Sequence, residues 1–234
     1  MNRLIANLPW ATTLLAAAFT VALFSHWQRR RQPHVAWWTL GVACFGAGTL
    51  IEGLTSLVGW REPLFRLWYI FGALLGAAPL AQGTAYLLLP RRTANQLAAF
   101  FAVLAAAAAA CAWLSPIDPN VVNPQKLTAS ILKWQWVRLF SPALNLYALW
   151  FLVGGAAWSA WQYRKKQGSQ ARFFGNSLIA VGALLPGVGG SFARFGNIAV
   201  LYVTEFVGLA LIATGYAIIR RDPGESIHSS QHTH

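Results

Sequence analysis

Seven apolar runs, each about 20 residues long and divided by short polar stretches, constrain this chain more than any other feature. At ~1.5 Å of rise per residue, a helix of that length matches a hydrocarbon core ~30 Å thick. Lipid offers the backbone no hydrogen bonds, so each run must satisfy its own N–H and C=O groups as a helix. The runs fall at about 8–27, 36–58, 64–89, 94–115, 139–162, 173–192 and 198–219. The chain therefore reads as an all-α, polytopic membrane protein. One seven-helix domain covers 1–222, and the polar tail 223–234 reads as disordered.

Charge supports this reading. Only 10% of residues are charged, against about 25% in a soluble domain, and they cluster between the runs. The first run is long and is followed directly by Arg29, Arg30 and Arg31, which marks it as a retained helix rather than a cleaved leader. One set of loops carries eleven Lys and Arg, at 29–31, 91–92, 164–166, 172 and 220–221. The other carries seven: Arg3, Arg61, Arg66, Lys126, Lys133, Arg138 and Arg194. The positive-inside rule then predicts an outside N-terminus and a cytoplasmic C-terminus, in a plasma or inner membrane. The longest loop, 116–138, holds Trp134 and Trp136, and Leu127–Val137 reads as an interfacial helix.

The net charge of +12 does not imply nucleic acid, because the basic residues sit beside hydrophobic runs, where they meet anionic headgroups. Cys44 and Cys111 both fall inside runs and read as small buried residues. No two histidines lie mid-membrane on facing helices, so no haem, metal or other cofactor is expected. Phosphate-loop, dinucleotide, metalloprotease and serine-elbow motifs are missing, which argues against an enzyme of those classes.

Two stretches echo each other. Ser25-His26-Trp27-Gln28 closes the first run and Ser159-Ala160-Trp161-Gln162 the fifth. The third and seventh runs open on Leu67-Trp68-Tyr69 and Leu201-Tyr202, at similar offsets, and each ends at an arginine pair. A parallel 3+1+3 duplication accounts for this, with the alanine-rich fourth run as a structural linker. Arginine and tryptophan at membrane boundaries account for it equally.

Ionisable groups inside a bilayer cost at least ~2.5–3.5 kcal/mol each, so they are informative. Glu52 lies about six residues before the end of the second run, and Glu205 about seven after the start of the seventh, which places both roughly 10 Å below the same surface. Gly48, Thr49, Thr55 and Ser56 share a face with Glu52, and Gly208 with Glu205. Small and polar neighbours suit helix contacts rather than lipid. Arg66, Tyr69, Asn145, Arg194 and Tyr202 fall near the same level and complete a predicted ligand- or proton-handling site. Arginine pairs that only staple helices together are the alternative. Pro186, Gly187, Gly189 and Gly190 predict a break or hinge in the sixth run.

This layout resembles that of sugar-efflux and vitamin-uptake carriers, and is shared by rhodopsins and receptors. The carriers' proline–glutamine motifs are absent from the matching runs, since Pro124-Gln125 lies in a loop, and the seventh run has no lysine for a retinal. The leading expectation is a protein that binds or transports a small ligand in the lipid bilayer. The alternative is a receptor or accessory subunit that meets a membrane or cytoplasmic protein partner without turnover.

Overall fold

A computed structural model describes residues 3–122, 127–164 and 170–222, with the side chains of Arg3, Leu4 and Arg194 outside that description. The tail 223–234 also lies outside the described residues. Among the described residues seven helices are long and apolar enough to cross a membrane: α1 Leu8–Arg30, α2 Pro33–Val58, α3 Glu62–Leu88, α4 Arg91–Leu114, α5 Gln135–Tyr163, α6 Gln170–Ala193 and α7 Ile198–Arg220. Their outward faces confirm the solvent they require. Leu14, Val103 and Trp150 are each more than 70% exposed, an arrangement that water penalises and lipid does not. The chain is a multi-pass membrane protein.

Local chemistry fixes the helix ends. Proline occupies the first turn of α1, α2 and α3, where its missing N–H costs no intrahelical bond. α1 stops at Arg31, whose left-handed backbone (φ 51°) turns its N–H onto the Trp27 carbonyl at 2.7 Å. The Arg31 guanidinium then lies over the Trp27 ring, 5.0 Å from its centroid.

The chain divides into two compact units, 1–151 and 152–234. In the first, α2 is the most buried span because both its sides are engaged. Toward α1, Thr49 bonds Thr13 (3.0 Å), and a methyl placed on Gly53 would lie 2.8 Å from the Trp10 ring. Toward α3, a methyl on Gly48 would lie 2.8 Å from Gly72 Cα, and one on Gly41 2.8 Å from the Leu80 nitrogen. Only glycine permits such backbone approach. Positions rise along α2 as they fall along α3, the register of an antiparallel hairpin.

α3 is the irregular span. Regular α-helix covers Glu62–Trp68, a π-helical turn follows over Tyr69–Leu74, and helix resumes only at Ala78–Leu88. Leu75 N–H bonds Ile70 O (2.9 Å), five residues back, and Pro79 sits in the first turn of the restart. α4 splints this break. Its buried face repeats as Ala94, Phe101, Ala105, Ala108 and Ala112, and α3 side chains from both sides of the break hydrogen-bond its carbonyls. Arg66 reaches Ala112 O (2.7 Å), and Gln82 reaches Ala94 O (3.0 Å).

Leu127–Val137 does not form the expected interfacial helix. Ile131, Leu132 and Val137 are wholly buried against α3 and α4. Short 3-10 turns at Ala129–Ile131 and Gln135–Leu139, with an isolated bridge from Ile117 to Leu132, let those side chains point inward. Trp134 and Trp136 stay on the surface as a stacked pair.

In the second unit α6 packs on α7. A methyl on Gly208 would lie 2.6 Å from Gly182 O, and one on Gly175 2.8 Å from Gly215 O. At the far end of this pair Arg172 binds Asp222 (3.3 Å) and lies over the Tyr163 ring.

Candidate functional site

Glu52 is the best-defined functional candidate. Its side chain is carried into the protein by α2, leaving 6% of the residue exposed. The Gly48–Gly72 approach draws α3 close enough for Trp68 Nε1 to donate to Glu52 Oε1 at 2.8 Å. Trp68 is the last residue of regular helix before the π turn. The carboxylate thus meets α3 where its helical ladder changes register, and such turns concentrate at functional positions. An aromatic run flanks this junction: Phe65 stacks among Trp60, Trp68 and Tyr69 at 6.2–6.4 Å between ring centroids. Trp10 closes on Gly53 from α1.

The other residues expected at this site in the first unit have different work. Arg66 is directed away from the site. Its Nε and Nη2 donate to Glu62 Oε1 (2.9 and 2.6 Å), Nη1 to Ala112 O, and Nη2 also to Ser115 O (3.0 Å). It completes the end of α4, where carbonyls lack intrahelical donors and a cation is favoured. Tyr69 is buried and donates to Val137 O (3.3 Å), which fastens the loop to the π turn. Asn145 donates to Ser141 O (2.9 Å) and Ala73 O (3.4 Å), and Ser141 also donates to Ala73 O (3.0 Å). These side chains supply donors to backbone beside the break.

Replacing Arg66 by glutamine is expected to cost about 1–2 kcal/mol, mainly through the Ala112 and Ser115 carbonyls it leaves bare. The Glu62 pair adds little, since that carboxylate is 50% exposed. Thermal unfolding in detergent measures this, and an unchanged midpoint would refute the capping role.

In the second unit Glu205 and Tyr202 are half-buried on α7. Glu205 lies between two contact points with α6, Gly182–Gly208 and Gly189–Thr204. The Arg194 side chain lies outside the described residues.

The expected break in the sixth span is absent: α6 is continuous helix through Pro186. The reason is visible in its glycines. Proline deprives the carbonyl four residues earlier of its donor; that carbonyl is Gly182 O, and it faces the Gly208 α-carbon of α7. A methyl on Gly208 would lie 2.6 Å from that oxygen, so the glycine lets α7 close over the carbonyl that proline frees. Gly189 packs against Leu201 and Thr204, whereas a methyl on Gly187 or Gly190 would meet nothing within 4 Å. The sequence signal for the true break was Gly72, Gly76 and Pro79: a methyl on Gly76 would lie 2.5 Å from Gly72 O.

No protein-family model, curated protein or solved structure matches the chain. A carboxylate in a low-dielectric span favours a proton or a cationic partner. Among the described residues no group of three His, Cys, Asp or Glu side chains stands close enough to hold a metal ion.

Proposed function

We propose that this protein binds and carries a small ligand across a cell membrane, with Glu52 as its binding group. The observation that carries the reading is the buried Glu52 carboxylate, hydrogen-bonded by Trp68 at the α-to-π junction of a discontinuous α3. Carriers place discontinuous helices beside their sites because freed backbone and ionisable groups are tolerated there and useful. Lys and Arg counts favour an outside N-terminus, which puts Glu52 in the outer half.

Glycine register supports a parallel duplication. Gly41 and Gly48 of α2 recur 134 positions later as Gly175 and Gly182 of α6. Their partners on α3, Leu80 and Gly72, correspond to Gly215 and Gly208 on α7, at offsets of 135 and 136. In this register Glu52 lies four residues beyond Gly48, and Glu205 three residues before Gly208. Each carboxylate therefore stands about 4.5–6 Å along the helix from its hairpin's glycine contact, on the corresponding side. Glu205 is the repeat counterpart of the Glu52 layer and a second proton- or ligand-handling group. Tyr202, Arg194 and the Pro186–Gly190 segment belong to that half of the carrier, and the open space at Gly187 and Gly190 suits a segment that flexes.

A thermal-shift panel of amino acids, sugars, organic cations and organic anions, run on the protein in lipid nanodiscs, tests this. At least one class is expected to stabilise the wild type, and Glu52→Gln should remove that shift while keeping the ligand-free midpoint. Equal shifts in the two proteins would overturn the assignment of Glu52.

A further inference from the structure

We infer that one end of the first unit binds anionic phospholipid, with a headgroup phosphate held at each of two arginine clusters. Arg29, Arg30 and Arg31 close α1, and Arg91 and Arg92 open α4; all five are exposed. Packing brings the clusters to the same end. Gly83, near the end of α3, lies against the start of α2, where a methyl would stand 2.8 Å from His34 O. The same stretch of α3 holds the start of α4: Gln82 donates to Ala94 O (3.0 Å) and Tyr86 to Asn95 Oδ1 (2.8 Å). Charge here is uncompensated. Of the chain's six acidic residues, Glu52, Glu62 and Asp118 sit toward or beyond the opposite ends of α2, α3 and α4. Glu205 lies within α7, and Asp222 binds Arg172. Glu225 is the one acidic residue left against five arginines, none of which makes an ion pair among the described residues. Crowded like charges strain a fold, and phosphate relieves them.

The chemistry selects phosphate. Membrane orientation needs positive charge of either kind, so lysine would serve it, yet every basic residue in both clusters is arginine. Its planar fork bonds two phosphate oxygens at once. Arg31 is already held over the Trp27 ring, 5.0 Å from its centroid, which lowers the ordering that binding costs. The neighbouring surface selects a lipid as the source. Phe24 lies five residues before Arg29, and Leu87 and Leu88 lie four and three before Arg91; all three are exposed. Acyl chains cover such side chains while the headgroup meets the guanidiniums. A nucleotide or an acidic protein would leave them bare.

The full chain, delipidated in detergent, is titrated with phosphatidylglycerol, diphosphatidylglycerol and phosphatidylcholine, and with pyrophosphate as an anion without acyl chains. Native mass spectrometry and thermal unfolding read the binding. Phosphatidylglycerol and diphosphatidylglycerol are expected to bind at least tenfold more tightly than phosphatidylcholine or pyrophosphate. Arg29→Gln combined with Arg30→Gln, and Arg91→Gln combined with Arg92→Gln, should each weaken anionic-lipid binding tenfold or more. Where a glutamine variant does not fold, Arg→Lys at the same positions keeps the charge that orients the chain and removes the fork, and should weaken binding at least threefold. Equal affinity for phosphatidylcholine overturns the inference. So does undiminished binding by the glutamine variants, or by the lysine variants that replace them. Pyrophosphate bound as tightly as the lipids overturns a lipid as the occupant.

Discussion

Gly208→Leu is expected to destabilise the α6–α7 pair by about 3 kcal/mol, the upper range for overpacking a tight contact. Even a methyl at this position lies 2.6 Å from Gly182 O and 3.0 Å from Pro186 Cδ, and neither atom is the free end of a flexible side chain. The backbones must separate, and separation also exposes the carbonyl that Pro186 leaves without a donor. Gly187→Ala and Gly190→Ala make the internal control. Nothing stands within 4 Å of either added methyl, and alanine is worth about 0.5–1 kcal/mol over glycine in a helix. Stability should therefore fall steeply in the first variant and hold or rise in the other two. Thermal unfolding in a single detergent ranks all three, and a Gly208→Leu midpoint within a degree of wild type would contradict the close-contact account.

Length and hydropathy made seven spans legible, because a bilayer imposes one length on every helix that crosses it. Glu52 was legible as a buried carboxylate because charge inside such a run is rare. Local propensity counts glycine and proline as helix breakers, so the Gly-Pro-rich stretch 182–190 predicts a break. Propensity does not register a partner helix: α6 runs unbroken through Pro186, and α7 presents Gly208 to the freed carbonyl. The reverse happened in α3, where the milder signal of Gly72, Gly76 and Pro79 produced the actual interruption.

Arg66 illustrates a different gap. Its depth was inferable from position, but its partners were not. Depth alone suggested a guanidinium beside Glu52, whereas the end of α4 offered it carbonyls together with Glu62. Helix-terminal carbonyls compete well for arginine, and they carry no sequence signature. The same limit applied to Trp68, whose indole N–H reaches Glu52 only because Gly48 and Gly72 bring the two backbones together. A tryptophan at a span's edge otherwise reads as an interface anchor.

Gln82→Leu is expected to cost about 2–3 kcal/mol and to disturb Glu52 from the far side of the break. Gln82 is wholly buried, donates to Ala94 O (3.0 Å) and accepts from the Tyr147 hydroxyl (2.5 Å). It ties the second half of α3 to the start of α4 and to α5, as Arg66 ties the first half to the end of α4. Each bond contributes up to ~1.7 kcal/mol in a membrane interior, and leucine of similar volume removes both, leaving the Tyr147 hydroxyl without its acceptor. Tyr147→Phe removes one bond and should cost about 1 kcal/mol, with its ring still stacked on Phe101. The double variant should cost less than the sum, since the two side chains share one bond. A splint that fails at one end lets the halves of α3 shift, so Gln82→Leu should also change the fluorescence of Trp68, measured by difference against Trp68→Phe. Loss of stability with that signal unchanged would mean that α4 stabilises α3 without holding the Glu52–Trp68 contact in place.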